Sequence, residues 1–233
     1  MRGKATLAIL VALVAAVMSA PASVSAAPCV TASLASYTGA GFSCTIDDKT
    51  FSSFTYSVSP FGASPAASAV TVIPVNNGAS GIGFTFQALW TVSAGATLDS
   101  LIGFSAAVTS GAALIEDASI ALLSGAGITG TGTLTITEGL CLTGPCPPGG
   151  ITTVVNSSNS ATTIFLPSHV FFTPTGSLTA SKDIGLSAGT SGTVTVSSIT
   201  DTFSQRVPEP STLLLLGSGL LGIRLVARRR RGK

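Results

Sequence analysis

Residues 82–108 read IGFTFQALWTVSAGATLDSLIGFSAAV. Ile82, Phe84, Phe86, Ala88, Trp90 and Val92 are apolar at every second position, and Gly83, Thr85, Gln87, Thr91 and Ser93 fall between them. Successive side chains leave a strand on opposite faces, so a period of two marks a half-buried β-strand. Leu98, Ser100, Ile102, Phe104, Ala106 and Val108 repeat the pattern. The link Ser93-Ala94-Gly95-Ala96 reads as a turn, which predicts that the two strands pair as a hairpin or as neighbours in a meander.

The same signal spreads outward. Phe54, Tyr56 and Val58 alternate after Asp47-Asp48-Lys49, and residues 70–75 are a β-branched run that ends at the turn Asn76-Asn77-Gly78. Ile128, Leu134 and Ile136, then residues 151–155, 162–166 and 169–172, mark further strands. Leu178, Ile184 and Leu186 lead to a last strand over 193–199, before Phe203. Residues 114–123 suit a helix or a strand equally. About ten short strands with regular turn signals predict a mainly β fold, an antiparallel β-sandwich or jelly roll. Helix is expected only in a signal segment at the N-terminus and a membrane segment at the C-terminus.

Both ends differ from the middle. Met1-Arg2-Gly3-Lys4 is basic, residues 5–17 are apolar, and Val24-Ser25-Ala26 has the small-residue form of a cleavage site. This predicts a secretory signal peptide over 1–26, which hands the chain to the Sec translocon. At the other end, residues 207–233 read VPEPSTLLLLGSGLLGIRLVARRRRGK. A helix over 211–227 would be about 25 Å long, at the short limit for crossing a bilayer. Arg224 lies within one turn of Arg228 and can snorkel to the same interface. Arg228, Arg229, Arg230 and Arg231 favour a cytoplasmic C-terminus by the positive-inside rule. The exported domain is then 27–206.

The order of this tail resembles the PEP-CTERM sorting signal of Gram-negative bacteria. Val207, Pro208, Glu209 and Pro210 form the motif, a Leu/Gly-rich span covers 211–227, and a basic cluster fills 228–233. The resemblance implies recognition and cleavage by an exosortase, an inner-membrane enzyme. Transient anchoring is then followed by delivery to the cell surface or extracellular matrix. The segment from Cys29 through Cys44 to Phe54, and Lys182-Asp183-Ile184, are loosely similar to other exported domains of this kind. No activity comes with that likeness.

Within 27–210, three basic residues (Lys49, Lys182, Arg206) face nine carboxylates, a net of −6. Nucleic acid is excluded as a partner, because neutralising phosphate takes clustered Lys and Arg. Four cysteines in an exported chain predict two disulfides. The local pairing is Cys29–Cys44 with Cys141–Cys146, and a metal site is the weaker alternative. Gly217-Ser218-Gly219-Leu220-Leu221-Gly222 and Gly125-Ala126-Gly127-Ile128-Thr129-Gly130 match G-x-G-x-x-G without the strand-to-helix context that nucleotide binding needs.

The chemistry is sparse. His169 is the single histidine, so a Ser-His-Asp hydrolase must use it as base; no nucleophile elbow is read in the chain. Asp47-Asp48 and Glu116-Asp117 are adjacent pairs, unlike two carboxylates facing across a sugar, and the first reads as a solvated turn. Tyr37, Phe42, Phe61 and Trp90 are available aromatics, with Trp90 assigned to the core. The reading is an exported surface or matrix protein, not an enzyme, with no cofactor or metal. The alternatives are a module that binds extracellular polysaccharide and an enzyme of unrecognised type.

Overall fold

The computed structural model describes residues 26–59, 62, 64–109, 113–122, 127–142, 151–158 (backbone only) and 168–205. The signal segment through residue 25 and the tail from residue 206 lie outside them. In chain order the elements are β1 (Ala27–Pro28), β2 (Ala32–Ser33), a helical turn α1 (Leu34–Tyr37), β3 (Ser43–Ile46), β4 (Lys49–Val58) and β5 (Thr71–Asn76). They continue with β6 (Ile82–Ser93), β7 (Thr97–Val108), β8 (Ile115–Leu122), β9 (Gly127–Thr129) and β10 (Thr133–Cys141). The last are β11 (Ile151–Ser158), β12 (Ser168–Thr175), β13 (Ser177–Ser187) and β14 (Thr193–Gln205).

The strands form two sheets. The first runs β1-β3-β4-β7-β13-β10-β11; the second runs β12-β8-β14-β6-β5-β2, with β9 beside the start of β14. Neighbours pair antiparallel except β1 and β3. The fold is a β-sandwich, as the alternation predicts. The ambiguous stretch 114–123 contains strand β8, paired to β14 and β12.

The pairing of β6 with β7 is not as expected. The two strands lie in opposite sheets, β6 against β5 and β14, β7 against β4 and β13. The link 93–97 is therefore an arch across the core, not a hairpin turn. Alternation shows which face of a strand is apolar. It does not show which strand satisfies the backbone, so arch and hairpin leave the same pattern. The arch puts the two apolar faces against each other: the Phe104 ring lies 5.7 Å from Phe84 and 6.2 Å from Phe86. A second arch, between β13 and β14, packs on the first. Gly95 N–H donates to Gly189 O at 2.7 Å and Ala188 N–H to Ala96 O at 3.0 Å. Gly189 has φ +60°, and a Cβ there would sit 2.3 Å from Thr131 Oγ1, so the crossing admits only glycine.

The centre of the core is aromatic. Phe51, Phe54, Phe84, Phe86, Phe104 and Phe203 are buried, with tilted or edge contacts between most neighbouring rings. Trp90 is buried as expected. Tyr37 is buried too, which removes it from the exposed aromatics: its hydroxyl donates to Val30 O at 2.6 Å and its ring packs on Phe42 and Phe54. Cys29 and Cys44 are joined in a disulfide that ties α1 and the short edge strands to this cluster.

Candidate functional site

The most unusual chemistry lies between the sheets. On β13, Leu178, Ala180, Ile184 and Leu186 point into the core, and Lys182 occupies the same phase. Glu138 shares the phase of Leu134, Ile136 and Leu140 on β10, and Asp201 that of Ile199 and Phe203 on β14. Alternation therefore drives all three ionisable side chains inward, and each is 0 % exposed. Glu138 and Lys182 are cross-strand partners in the first sheet. Asp201 comes from the second, opposite Phe84 and Ile120.

Lys182 Nζ donates to Glu138 Oε1 at 3.0 Å and to Asp201 Oδ2 in a closer contact. It also lies 4.7 Å from the centre of the Phe104 ring and 5.8 Å from that of Phe86. Glu138 Oε2 and Asp201 Oδ1 are buried without a hydrogen-bond partner among the described residues. Burial, then the Glu138 charge, pushes the Asp201 carboxyl well above the usual carboxylate range, against the pull of Lys182. Burial alone would lower Lys182, but the two carboxyl groups together hold it above its usual value. Three ionisable groups enclosed together without solvent favour a cluster that is neutral as a group, an ammonium with one carboxylate and one carboxylic acid. Desolvation forbids a second bare carboxylate here. The three residues are far apart in sequence, but each is a charge on an apolar phase, and that signal was available.

The Asp47–Asp48 turn is not simply solvated. Lys49 is fully buried and donates to Asp48 Oδ1 at 3.1 Å. Gln205 Nε2, at the end of β14, donates to Asp48 Oδ2. Thr109 N–H and Oγ1 both donate to Asp48 O at 2.7 Å. Lys49 opens β4 in the phase of buried Phe51, so its side chain turns inward and Asp48 covers the ammonium.

His169 is exposed on β12 and has Ser119 Oγ at 3.4 Å from Nε2; the buried carboxylates gather around Lys182 instead. Glu116 is half-buried on β8, and Asp117 accepts from Ser204 N–H at 3.3 Å. The spacing of a nucleophile elbow does occur, at Gly185-Leu186-Ser187-Ala188-Gly189. Ser187 ends β13, and the chain turns into strand β14 rather than a helix. Its Oγ accepts from Gly189 N–H at 3.4 Å, so the match lacks the strand-to-helix geometry of an elbow. On the outer face of the first sheet, Asp183 is raised by partial burial and by its neighbour Asp99. A shallow groove beside Asp99 is lined by Thr133, Thr135 and Ser187. Phe171, on edge strand β12, is 74 % exposed.

Cys141 is disulfide-bonded. Cys146, its expected partner, lies outside the described residues. So do Val207, Pro208, Glu209, Pro210, the span 211–227, Arg228, Arg229, Arg230, Arg231 and the aromatic Phe61. Among the described residues no helix is long and apolar enough to cross a membrane.

Comparison with known proteins bears on the tail. The family model of the PEP-CTERM protein-sorting motif matches residues 206–231. No curated protein matches the chain. Among solved structures, TmCBM61 in complex with beta-1,4-galactotriose is similar at 9 % identity and a TM-score of 0.34, over 66 % of this chain and 88 % of that one.

Proposed function

We propose that this chain, which carries the PEP-CTERM sorting motif, is an exported β-sandwich protein of the cell surface or extracellular matrix without catalytic turnover. The observation that carries the reading is the match of that motif to residues 206–231, directly after the last strand. The signal peptide over 1–26 passes the chain to the Sec translocon. The span 211–227 holds it in the inner membrane with Arg228, Arg229, Arg230 and Arg231 in the cytoplasm. An exosortase then cuts near Val207, Pro208, Glu209 and Pro210. The Cys29–Cys44 disulfide supports an oxidising destination.

Fractionation of cells with and without the exosortase tests this. The protein is expected at the surface only when the enzyme is present and the Pro-Glu-Pro is intact. A triple variant with alanine at 208, 209 and 210 should stay in the inner membrane. Equal surface delivery in all three cases contradicts the reading.

A second reading, a polysaccharide-binding module, has one observation in its favour. Phe171 presents a bare ring beside exposed His169 on an edge strand, and an aromatic face can stack on a sugar. A glycan array probed with the native protein and with Phe171→Ala decides it: binding that the substitution abolishes supports the module, and no binding by either removes it.

A further inference from the structure

The geometry points to a covalent bond that the protein makes in its own core: we propose that Lys182 Nζ condenses with the Asp201 carboxyl to form an isopeptide cross-link between the two sheets, with Glu138 as the proton carrier. An amine, a carboxyl group and a second carboxyl group meet there, all fully buried, on three strands that position them rigidly.

Each part of the reaction has a residue. In the neutral cluster, the ammonium of Lys182 passes a proton to Glu138 Oε1, 3.0 Å away. The freed lone pair adds to Cγ of Asp201, whose Oδ2 already touches the nitrogen. Burial favours the protonated form of this carboxyl, and that form is the electrophile. Glu138 returns its proton to the departing hydroxyl, the C–O bond breaks, and the second amine proton passes to Glu138. The products are a secondary amide, a neutral Glu138 and one water. The four protons of the starting cluster are found again as one on the amide, one on Glu138 and two on the water. No oxidant, reductant or cofactor is needed.

Three features favour the bond. Fixed strands make the attack intramolecular, where effective molarity is high. Full burial between the sheets keeps solvent out and so disfavours the return of the released water. The product also accounts for the two orphan oxygens. One oxygen of Asp201 leaves as water, and the other becomes an amide carbonyl placed to accept from protonated Glu138. With both carboxyl groups ionised, a plain ion cluster leaves these atoms desolvated, which is costly. Lys49 is the contrast: its partner Asp48 keeps a side chain 24 % exposed.

The cross-link does not depend on the sorting reading and is tested on the mature protein as cells produce it. After disulfide reduction, its intact mass should be lower by one water than the sequence between its measured termini requires. Peptic digestion should yield a branched fragment that joins the segments holding 182 and 201. Glu138→Gln and Lys182→Arg should each restore the full mass, and circular dichroism shows whether each variant is folded. The wild-type spectrum decides alone if a variant fails to fold. A full mass in the folded wild type, with Lys182 recovered as a free amine, overturns the proposal.

Discussion

Residues 27–206 hold two lysines, and both are completely buried. Lys49 begins a strand, next to a turn, paired to Asp48, which still reaches water, with a further pull from exposed Asp47. Lys182 sits in the middle of a strand, between two sheets, with two carboxyl groups as buried as itself. The environments push them in opposite directions. Desolvation dominates at Lys49 and lowers its pKa; at Lys182 the two buried carboxyl groups together outweigh desolvation and raise it. Burial alone therefore does not set the behaviour of an ammonium group. Whether its carboxyl partners are buried with it decides.

The strongest way to break this contrast is Lys182→Met. It leaves Glu138 and Asp201 facing each other without a cation, and about 3–5 kcal/mol of stability should be lost. The midpoint of urea unfolding reads this directly. Next in size is the tie at the sheet edge: replacing both Cys29 and Cys44 by serine removes the cross-link over the loop that holds α1. The cost should be about 3 kcal/mol, seen as a lower thermal midpoint under non-reducing conditions only.

Lys49→Met should cost about 1 kcal/mol or less, because its ion pair is open to solvent screening on the Asp48 side. The variant sharpens the contrast through pH. A lysine with a lowered folded pKa binds fewer protons folded than unfolded, so its contribution to stability improves as pH rises through the folded value towards 10.5. That rise should vanish in Lys49→Met. Lys182, as a free amine, would act oppositely: its stabilisation is present below 10.5 and lost as pH rises through its raised value. The smallest effect belongs to Asp99→Asn. Asp183 has a raised pKa, so its contribution is present below 3.8 and lost as pH rises through the folded value. Removing Asp99 should flatten that part of the stability curve, and NMR titration of Asp183 should show its pKa falling.

The sequence carried the sandwich because period-two alternation is a one-strand property. Ile82, Phe84 and Phe86 against Leu98, Ile102 and Phe104 show it plainly. It did not carry the sheet assignment, since that depends on which backbone edges meet. Hence β6 and β7 were expected to pair and instead arch over the core. The buried cluster was legible in part. Lys182 lies on the phase of Ala180 and Ile184, Glu138 on that of Ile136 and Leu140, and Asp201 on that of Ile199 and Phe203. What no single strand could reveal is that the three phases converge. The Cys29–Cys44 bond is legible because the pairing is local; the burial of Tyr37 is not, because it depends on that closed loop folding back onto Phe54.

The most direct test of the account is the mass of the mature protein released from the cell surface, compared with the form in cells that lack the exosortase. The account predicts a chain that begins at Ala27 in both, and that loses the span and the arginines after Val207–Pro210 only where the enzyme is present. A chain that keeps residues 207–233 in both would make it a permanent inner-membrane protein and contradict the surface reading.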